Sequence, residues 1–228
     1  LYFRVPFARY EYVVLSPDLA PLVTVLTVVL MANAINLIDG LDGLACGIVG
    51  IAGAAMFLYA DRLFKAGLLE GSNMGPLVAA ITVGICVGFL PHNFNPARIF
   101  MGDVGSAFLG FQLAVTAIAA ASSSGLPVEV WLILGGVFLV DASLTLVRRL
   151  IRGERWYTAH RIHAYQHLAR RWKSHLKVTL AATAINVFWL MPFAWAAAAY
   201  PQRAPILMLA ALIPLFLLLL AAGAGRPE

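Results

Sequence analysis

Long apolar stretches alternate with polar breaks along most of this chain. Each stretch is close to the length of roughly 20 residues that a helix needs to cross a bilayer. None shows the strict period-two alternation of a membrane β-barrel strand. The pattern therefore predicts an all-α fold, a polytopic transmembrane helical bundle. We expect seven spans, at about residues 19–38, 43–60, 75–92, 104–122, 128–148, 177–199 and 204–222.

Composition supports the same class. Hydrophobic residues make up 61% of the 228 residues and charged residues 12%, whereas soluble domains contain about 45–50% and about 25%. Cys46 and Cys86 both lie inside apolar stretches, where a small buried hydrophobe is more usual than a disulfide. The lipid bilayer is thus the first partner that the sequence predicts.

Positive charge is concentrated in the longest polar break, at about 149–176. Nine basic residues lie from Arg148 to Lys177, against one acid, Glu154. Basic residues favour cytoplasmic loops, so we expect this loop to face the cytoplasm. Counting spans backwards then puts the breaks at 39–43 and 93–103 on the same side.

The end of the first span carries an unusual set of polar side chains: Asn33, Asn36, Asp39 and Asp42. Ionisable residues at membrane depth are functional hypotheses by default. The glycines around the two aspartates predict a helix end that opens into a tight turn. Carboxylates beside carboxamides suit a hydrated cation, or hydrogen bonds to a nucleobase and its sugar. The alternative is a polar helix cap at the lipid headgroups.

A second acid cluster, Gly102-Asp103-Val104-Gly105-Ser106, begins the fourth span. A helix N-terminus offers free N–H groups to an anion, and Asp103 there could hold Mg²⁺ beside a substrate phosphate. The alternative is that Asp103 is a simple N-cap. Just upstream, Arg98 either pairs with a phosphate or follows the charge bias of cytoplasmic loops. Phe100 either stacks on a base or is an interfacial aromatic residue.

Two further polar features leave several readings open. His160, His163 and His167 have the spacing of one helix face, with Arg161 beside them. This face could bind a metal, contact phosphates or be a solvated surface. Asp141 lies inside the fifth span, where a structural ion pair and a role in the substrate site are equally compatible with the sequence.

Two motifs now become recognisable: Asn-Ala-Ile-Asn-Leu-Ile-Asp-Gly-Leu-Asp-Gly-Leu-Ala at 33–45 and Pro-Ala-Arg-Ile-Phe-Met-Gly-Asp-Val-Gly-Ser at 96–106. Together they resemble the polyprenyl-phosphate N-acetylhexosamine-1-phosphate transferases, of the glycosyltransferase family 4 type. That family includes the phospho-MurNAc-pentapeptide translocase and the transferases that start O-antigen, common-antigen and teichoic-acid synthesis. The resemblance covers essentially the whole chain.

The resemblance implies the later part of a fold with about ten or eleven spans. We therefore expect residues 1–228 to form a single membrane domain, the C-terminal portion of a longer transferase. The family's paired-aspartate motif does not occur in this sequence, so this portion alone is expected to be inactive. The run 159–166 lacks the adjacent histidines of the peptidoglycan enzymes, and resembles the subgroup that initiates O-antigen or other surface polysaccharides.

By the same resemblance, the expected reaction moves N-acetylhexosamine-1-phosphate, or a 6-deoxy derivative, from a UDP-sugar to undecaprenyl phosphate and releases UMP. The implied cofactor is Mg²⁺ held by Asp103, with Mn²⁺ as an alternative. The implied catalytic residues are Asp39, Asp103 and His163. The implied substrate-binding residues are Asn33, Asn36, Asp42, Asn93, Phe100 and Arg161.

The resemblance also implies a place in the cell and a set of partners. We expect a multi-pass protein of the bacterial inner membrane whose active site faces the cytoplasm. Its partners would be the two substrates and the bilayer, and no nucleic acid. A homodimer is left open.

Two other functions fit parts of the sequence. A secondary transporter would use Asp39, Asp103 and Asp141 to bind ions near the membrane midplane, although the two main clusters lie at span ends. An intramembrane aspartyl protease would use Asp39 and Asp103, because Met101-Gly102-Asp103 is similar to its Gly-Asp signature. Peptide hydrolysis, however, has no need of a basic, phosphate-binding loop.

Overall fold

The computed structural model describes residues 2–4, 12–14, 16–65, 75–123, 126–155, 158 and 160–227. Within these ranges the chain is almost wholly helical, which confirms the all-α class. The helices are α1 (Leu19–Ile38), α2 (Leu44–Lys65), α3 (Gly75–Asn93), α4 (Gly102–Ser123), α5 (Val128–Leu134), α6 (Gly136–Ile151), α7 (Ala164–Trp172), α8 (His175–Ala184), α9 (Met191–Ala199) and α10 (Ala204–Ala222).

Three short elements complete the described chain. Two antiparallel strands, β1 (Tyr2–Arg4) and β2 (Tyr12–Val14), pair before α1. A π-helical segment, Ile185–Leu190, joins α8 to α9, and a 3₁₀ turn, Pro201–Arg203, leads into α10. Helices α8, the π-helical segment and α9 together form one long apolar element.

The number of spans in the described part of the chain is five, or six if the bent pair α5 and α6 counts as one span. Five or six of the seven predicted spans thus meet this length and composition among the described residues. The stretch predicted at 43–60 forms the helix α2, but its apolar part, Leu44–Tyr59, is shorter than a spanning helix. The five clear spans are Leu19–Ile38, Pro76–Asn93, Gly102–Ala121, His175–Ala199 and Pro201–Ala222.

The stretch predicted at 128–148 forms two helices rather than one straight helix, and it counts as one span when the bent pair is taken together. Helices α5 and α6 meet at an angle of 79°. Gly135 and Gly136 lie at the bend, and glycine has a low helix propensity. The buried amide of Asn186, in the π-helical segment, donates to the Leu134 carbonyl at 3.1 Å. This bond satisfies a backbone group where the helix breaks, as a membrane interior requires.

Helices α1 and α4 approach very closely where Gly110 faces α1. A Cβ atom at this position would lie 2.6 Å from the Ala32 Cα atom and 2.9 Å from the Met31 carbonyl oxygen. Small residues allow membrane helices to pack backbone to backbone. The close packing fixes the end of α1 against the beginning of α4, which is where the two acid clusters lie.

The basic segment, the polar break at about 149–176, contains helical structure where a loop was expected. Helix α6 runs on to Ile151, α7 occupies 164–172, and α8 begins at His175. The residues after α10 fold back onto this segment, where the Gly225 N–H donates to the Ile162 carbonyl at 2.7 Å. Arg148 and Arg152 donate to the carbonyls of Ala224 and Gly225 at 2.5 and 2.6 Å.

Candidate active site

The two acid clusters line one cavity of about 240 Å³, between the end of α1 and the beginning of α4. The prediction that they lie on one side of the bundle is therefore consistent with the structure. Ten residues line the cavity: Asn36, Asp39, Gly40, Leu41, Asp42, Asn93, Phe100, Met101, Gly102 and Asp103. Six of them are among the site residues that the sequence predicts.

Asn36 connects the two clusters directly. Its amide nitrogen donates to Asp103 Oδ1 at 3.1 Å and to the Ser106 hydroxyl oxygen at 3.0 Å. The Ser106 hydroxyl donates in turn to the Gly102 carbonyl at 3.0 Å. Asp103 lies in the first turn of α4, so this network orients its carboxylate relative to α1.

Asp39 caps the C-terminus of α1. Its backbone N–H lies 3.1 Å from the Ile35 carbonyl oxygen and 3.3 Å from that of Asn36. Burial, and to a lesser degree the negative charge of Asp103, raises the pKa of the Asp39 carboxyl to about 6. Two carboxylates thus face one small cavity at a mutual electrostatic cost, which a cation would relieve.

Asp42 is held by groups that are not among the predicted site residues. Its Oδ2 atom accepts from the Asn95 amide at 2.9 Å and from the Ala97 N–H at 3.2 Å. The His175 Nδ1 atom lies 3.9 Å from Asp42 Oδ1, and the Thr179 hydroxyl donates to the Asp42 carbonyl at 2.9 Å. The Asn-Pro dipeptide at 95–96 is a turn signal that could have drawn attention to Asn95.

Asn93 lines the cavity, and its amide group ties two loops together. Its Oδ1 atom accepts from the Gly43 N–H at 3.1 Å, and its Nδ2 atom donates to the Ile99 carbonyl at 3.1 Å. The side chain is buried. These contacts hold the 93–101 loop, which carries Phe100, beside the turn that follows α1.

Phe100 and Asn33 lie in very different positions. The Phe100 residue is 75% exposed and lines the cavity, so an aromatic face is accessible at the site. Asn33 is exposed and does not line the cavity. Its amide donates to the Val29 carbonyl of its own helix at 2.8 Å.

The predicted histidine face is wrong. Helix α7 begins at Ala164, so His160 and His163 precede it and only His167 lies within it. Burial, followed by the nearby charges of His163 and Arg149, lowers the pKa of His160 to about 4. Among the described residues, no group of three or more His, Cys, Asp or Glu side chains converges on a metal position.

His163 lies outside the acid cavity. It is 2% exposed, with its Nδ1 atom 3.6 Å from Asp141 Oδ1 and its ring stacked on that of Tyr165 at a centroid distance of 5.6 Å. Arg161 is exposed, and its carbonyl accepts from Arg170 at 3.0 Å. The catalytic role of His163 and the binding role of Arg161 stay predictions.

Residues 3–121 match the family described as glycosyl transferase family 4. The chain belongs to this family. A decaprenyl-phosphate N-acetylglucosaminephosphotransferase of Mycobacterium leprae is 31% identical over 73% of the chain and 47% of its own length. A phospho-N-acetylmuramoyl-pentapeptide-transferase of Desulforudis audaxviator is 38% identical over 49% of the chain and 30% of its own length.

The family-4 chain spans less than half the length of these curated relatives. Its apolar helices and the family match together identify a multi-pass membrane protein. The family match covers α1, α2, α3 and most of α4, and thus both acid clusters. No observation supports the transporter alternative.

Asp141 has a structural role in this family-4 chain. The residue is 2% exposed, and its carboxylate accepts from the N–H groups of Ala164 at 2.9 Å and Tyr165 at 3.4 Å. The Thr145 hydroxyl donates to it at 3.3 Å. The carboxylate therefore caps the N-terminus of α7, where a negative charge is favourable.

The donor set at the cavity is compatible with Mg²⁺. This ion prefers oxygen ligands and is usually held by one or two protein carboxylates together with substrate phosphates. Asp39 and Asp103 supply two carboxylates in one cavity. Burial, and to a lesser degree the charge of Asp103, raises the pKa of Asp39, and a bound cation would favour the ionised form of both acids.

Proposed function

We propose that the protein containing this chain transfers N-acetylhexosamine-1-phosphate, or a 6-deoxy derivative, from a UDP-sugar to undecaprenyl phosphate. UMP is the second product, and the lipid-linked sugar starts a surface polysaccharide such as an O-antigen. The observation that carries the proposal is the cavity between α1 and α4, where a family-4 chain brings Asp39 and Asp103 together with an exposed aromatic ring.

The reaction is a phosphoryl transfer between two anions. An oxygen of the lipid phosphate attacks the sugar-proximal phosphorus of the diphosphate. A new P–O bond forms, the bond to the UMP oxygen breaks, and that oxygen keeps the electron pair. The lipid phosphate is already ionised near neutral pH, so catalysis consists mainly of positioning and charge neutralisation.

Asp39 and Asp103 would hold Mg²⁺ in this proposal, with Mn²⁺ as a substitute. When bound, the metal would supply Lewis-acid polarisation and neutralise the diphosphate charge. The Asn36 amide fixes Asp103. Phe100 would stack on the uracil, and Asp42 keeps the 95–97 loop in place beside it.

The basic segment would supply the remaining positive charge. Arg161 is exposed and can reach a ligand from solvent, so we assign it to the diphosphate. The segment lacks adjacent histidines, which argues against a pentapeptide-bearing sugar. The distribution of basic residues supports an inner-membrane protein whose site faces the cytoplasm.

The experiment uses membranes from cells that express the complete coding sequence containing these residues. UMP release is measured from UDP-N-acetylglucosamine and related UDP-sugars, with and without undecaprenyl phosphate. We expect release only when the lipid phosphate is present, loss of release on chelation, and recovery with Mg²⁺. UMP release that does not require undecaprenyl phosphate would overturn the proposal.

The Asp103→Ala variant tests the metal assignment. We expect UMP release to fall by about a hundredfold, which corresponds to ~2.7 kcal/mol of barrier. Asp18→Ala is the matched control, because Asp18 is exposed at the opposite end of α1 and makes no capping bond. Undiminished release by Asp103→Ala would remove Asp103 from the metal site.

A further inference from the structure

We infer that the Tyr165 hydroxyl is a positioning group for the acid cavity, and that it connects the basic segment to the end of α1. The inference rests on the proposed function, since it assigns a part in that reaction to a residue that does not line the cavity. Tyr165 belongs to no recognised motif, and its spacing in the sequence does not mark it as a site residue.

The first observation is how α1 ends. The N–H groups of Asp39 and Gly40 donate to the carbonyls of Ile35, Asn36 and Ile38. The remaining carbonyl of the last turn, that of Leu37, accepts from the Tyr165 hydroxyl at 2.9 Å. A helix end leaves four carbonyls without intrahelical partners, and Tyr165 satisfies the one that the backbone does not.

The second observation is the absence of a side chain at Gly40. A Cβ atom there would lie 2.5 Å from the Tyr165 hydroxyl oxygen and 3.2 Å from two ring carbons. Gly40 itself lines the acid cavity. The phenol therefore rests directly against the backbone that follows Asp39, and any side chain at residue 40 would push the two apart.

The third observation is how Tyr165 is held. It is the second residue of α7 and is 7% exposed. Its own N–H, and that of Ala164, donate to the buried Asp141 carboxylate of α6. Burial, followed by the charges of Asp141 and Asp39, raises the pKa of the Tyr165 phenol, so it stays protonated and can donate.

These contacts form one path from α6 through α7 to the last turn of α1. That turn carries Asn36, which fixes Asp103, and it is followed at once by Asp39. Loss of the hydroxyl would free the Leu37 carbonyl and let the turn move relative to α4. Small displacements of catalytic groups are costly in rate, so Tyr165→Phe should lower kcat by about tenfold and change KM for the UDP-sugar by less than about twofold.

The control variant is Tyr59→Phe. Tyr59 is a half-buried tyrosine packed against the same core, in α2. Removal of its hydroxyl should leave kcat within about twofold of wild type. An equal loss of kcat in both variants would mean that the Tyr165 effect is not specific, and would overturn the inference.

A double-mutant cycle tests the contact itself. Gly40→Ala alone should be strongly damaging, because the new methyl group meets the Tyr165 hydroxyl. Gly40→Ala in a Tyr165→Phe background should be less damaging. The effects of the two substitutions should therefore not be additive, either for kcat or for the thermal midpoint. Additive effects on both quantities would refute a direct contact between residues 40 and 165.

The two proposals fail in different ways. If the wild-type protein releases no UMP, the proposed function fails, while the thermal midpoints of the cycle still report on the contact. If the wild-type protein is active and Tyr165→Phe has the wild-type kcat, the positioning role fails and the proposed function stands.

Discussion

Asn36 in α1 and Asp103 in α4 are joined by a side-chain hydrogen bond of 3.1 Å between residues 67 positions apart in the chain. The same amide nitrogen also lies 3.0 Å from the Ser106 hydroxyl oxygen. The geometry of the Asp103 carboxylate thus depends on a neutral donor in another helix. Replacing that donor should affect the site without removing either carboxylate.

Asn36→Asp would replace the donor with a third carboxylate beside Asp103. The hydrogen bond becomes a repulsion between like charges, and we expect UMP release to fall by about a hundredfold, which is ~2.7 kcal/mol of barrier. Asn33→Asp is the comparison, because Asn33 lies one turn earlier on α1 and bonds only to its own helix among the contacts described. A loss for Asn33→Asp as large as that for Asn36→Asp would contradict the assignment.

Asp39→Asn should raise stability while it abolishes activity. The pKa of the Asp39 carboxyl is about 6 in the folded protein and 3.8 in the reference state. The folded state therefore binds the proton more tightly, and this stabilisation is present below pH 3.8 and is lost as the pH rises through 6. At about pH 7.5 the wild-type protein carries an unfavourable, partly buried charge that the asparagine variant lacks.

The measurement for Asp39→Asn is the thermal midpoint in detergent with a chelator, from about pH 4 to pH 8. The variant should exceed wild type at the upper end of this range, and the difference should shrink towards the lower end. Asp18→Asn should show no such trend, because Asp18 is exposed. A variant that is less stable than wild type at about pH 7.5 would show that the Asp39 charge is compensated in the folded protein.

Gly225→Ala should destabilise the tail that folds onto the basic segment. Gly225 has φ +69°, and a Cβ atom would lie 3.1 Å from the Thr145 Cα atom and from two Arg148 side-chain carbons. Gly153→Ala is a close control, since Gly153 has φ +71° and no atom within 4 Å of a Cβ. The left-handed backbone costs alanine roughly 1 kcal/mol at either position. If the thermal midpoint falls further for Gly225→Ala than for Gly153→Ala, the difference measures the packing of the tail. Equal shifts would mean that the tail is not packed.

The sequence was sufficient to locate the apolar stretches that form α1 to α4 and to predict the two acid clusters on one side of the bundle. Hydropathy located the apolar stretches, and charge bias placed 39–43 and 93–103 on one side. The structure shows residues from both breaks lining one cavity. Both predictions use the periodicity of apolar residues and the uneven distribution of basic residues, and a single sequence contains this information.

The sequence was not sufficient where long-range packing decides. The bend between α5 and α6 depends on the Asn186 amide, which reaches the Leu134 carbonyl from a distant segment. The spacing of the histidines predicted that His163 lies on a helix face. Instead, α7 begins one residue later at Ala164, whose N–H donates to the Asp141 carboxylate. The sequence did not predict the contacts of Tyr165 with Leu37 or of His175 with Asp42, because these partners lie far apart in the chain.

Four arginines of the basic segment differ in how strongly salt would affect their interactions. Arg149 is buried and donates to Glu154, and the half-buried Arg148 donates to the Ala224 carbonyl, and dissolved ions screen such enclosed contacts only weakly. Arg161 and Arg171 are exposed, and their attraction for an approaching anion would weaken as ionic strength rises. Salt should therefore reduce the capture of an anionic ligand at concentrations that leave the folded segment intact.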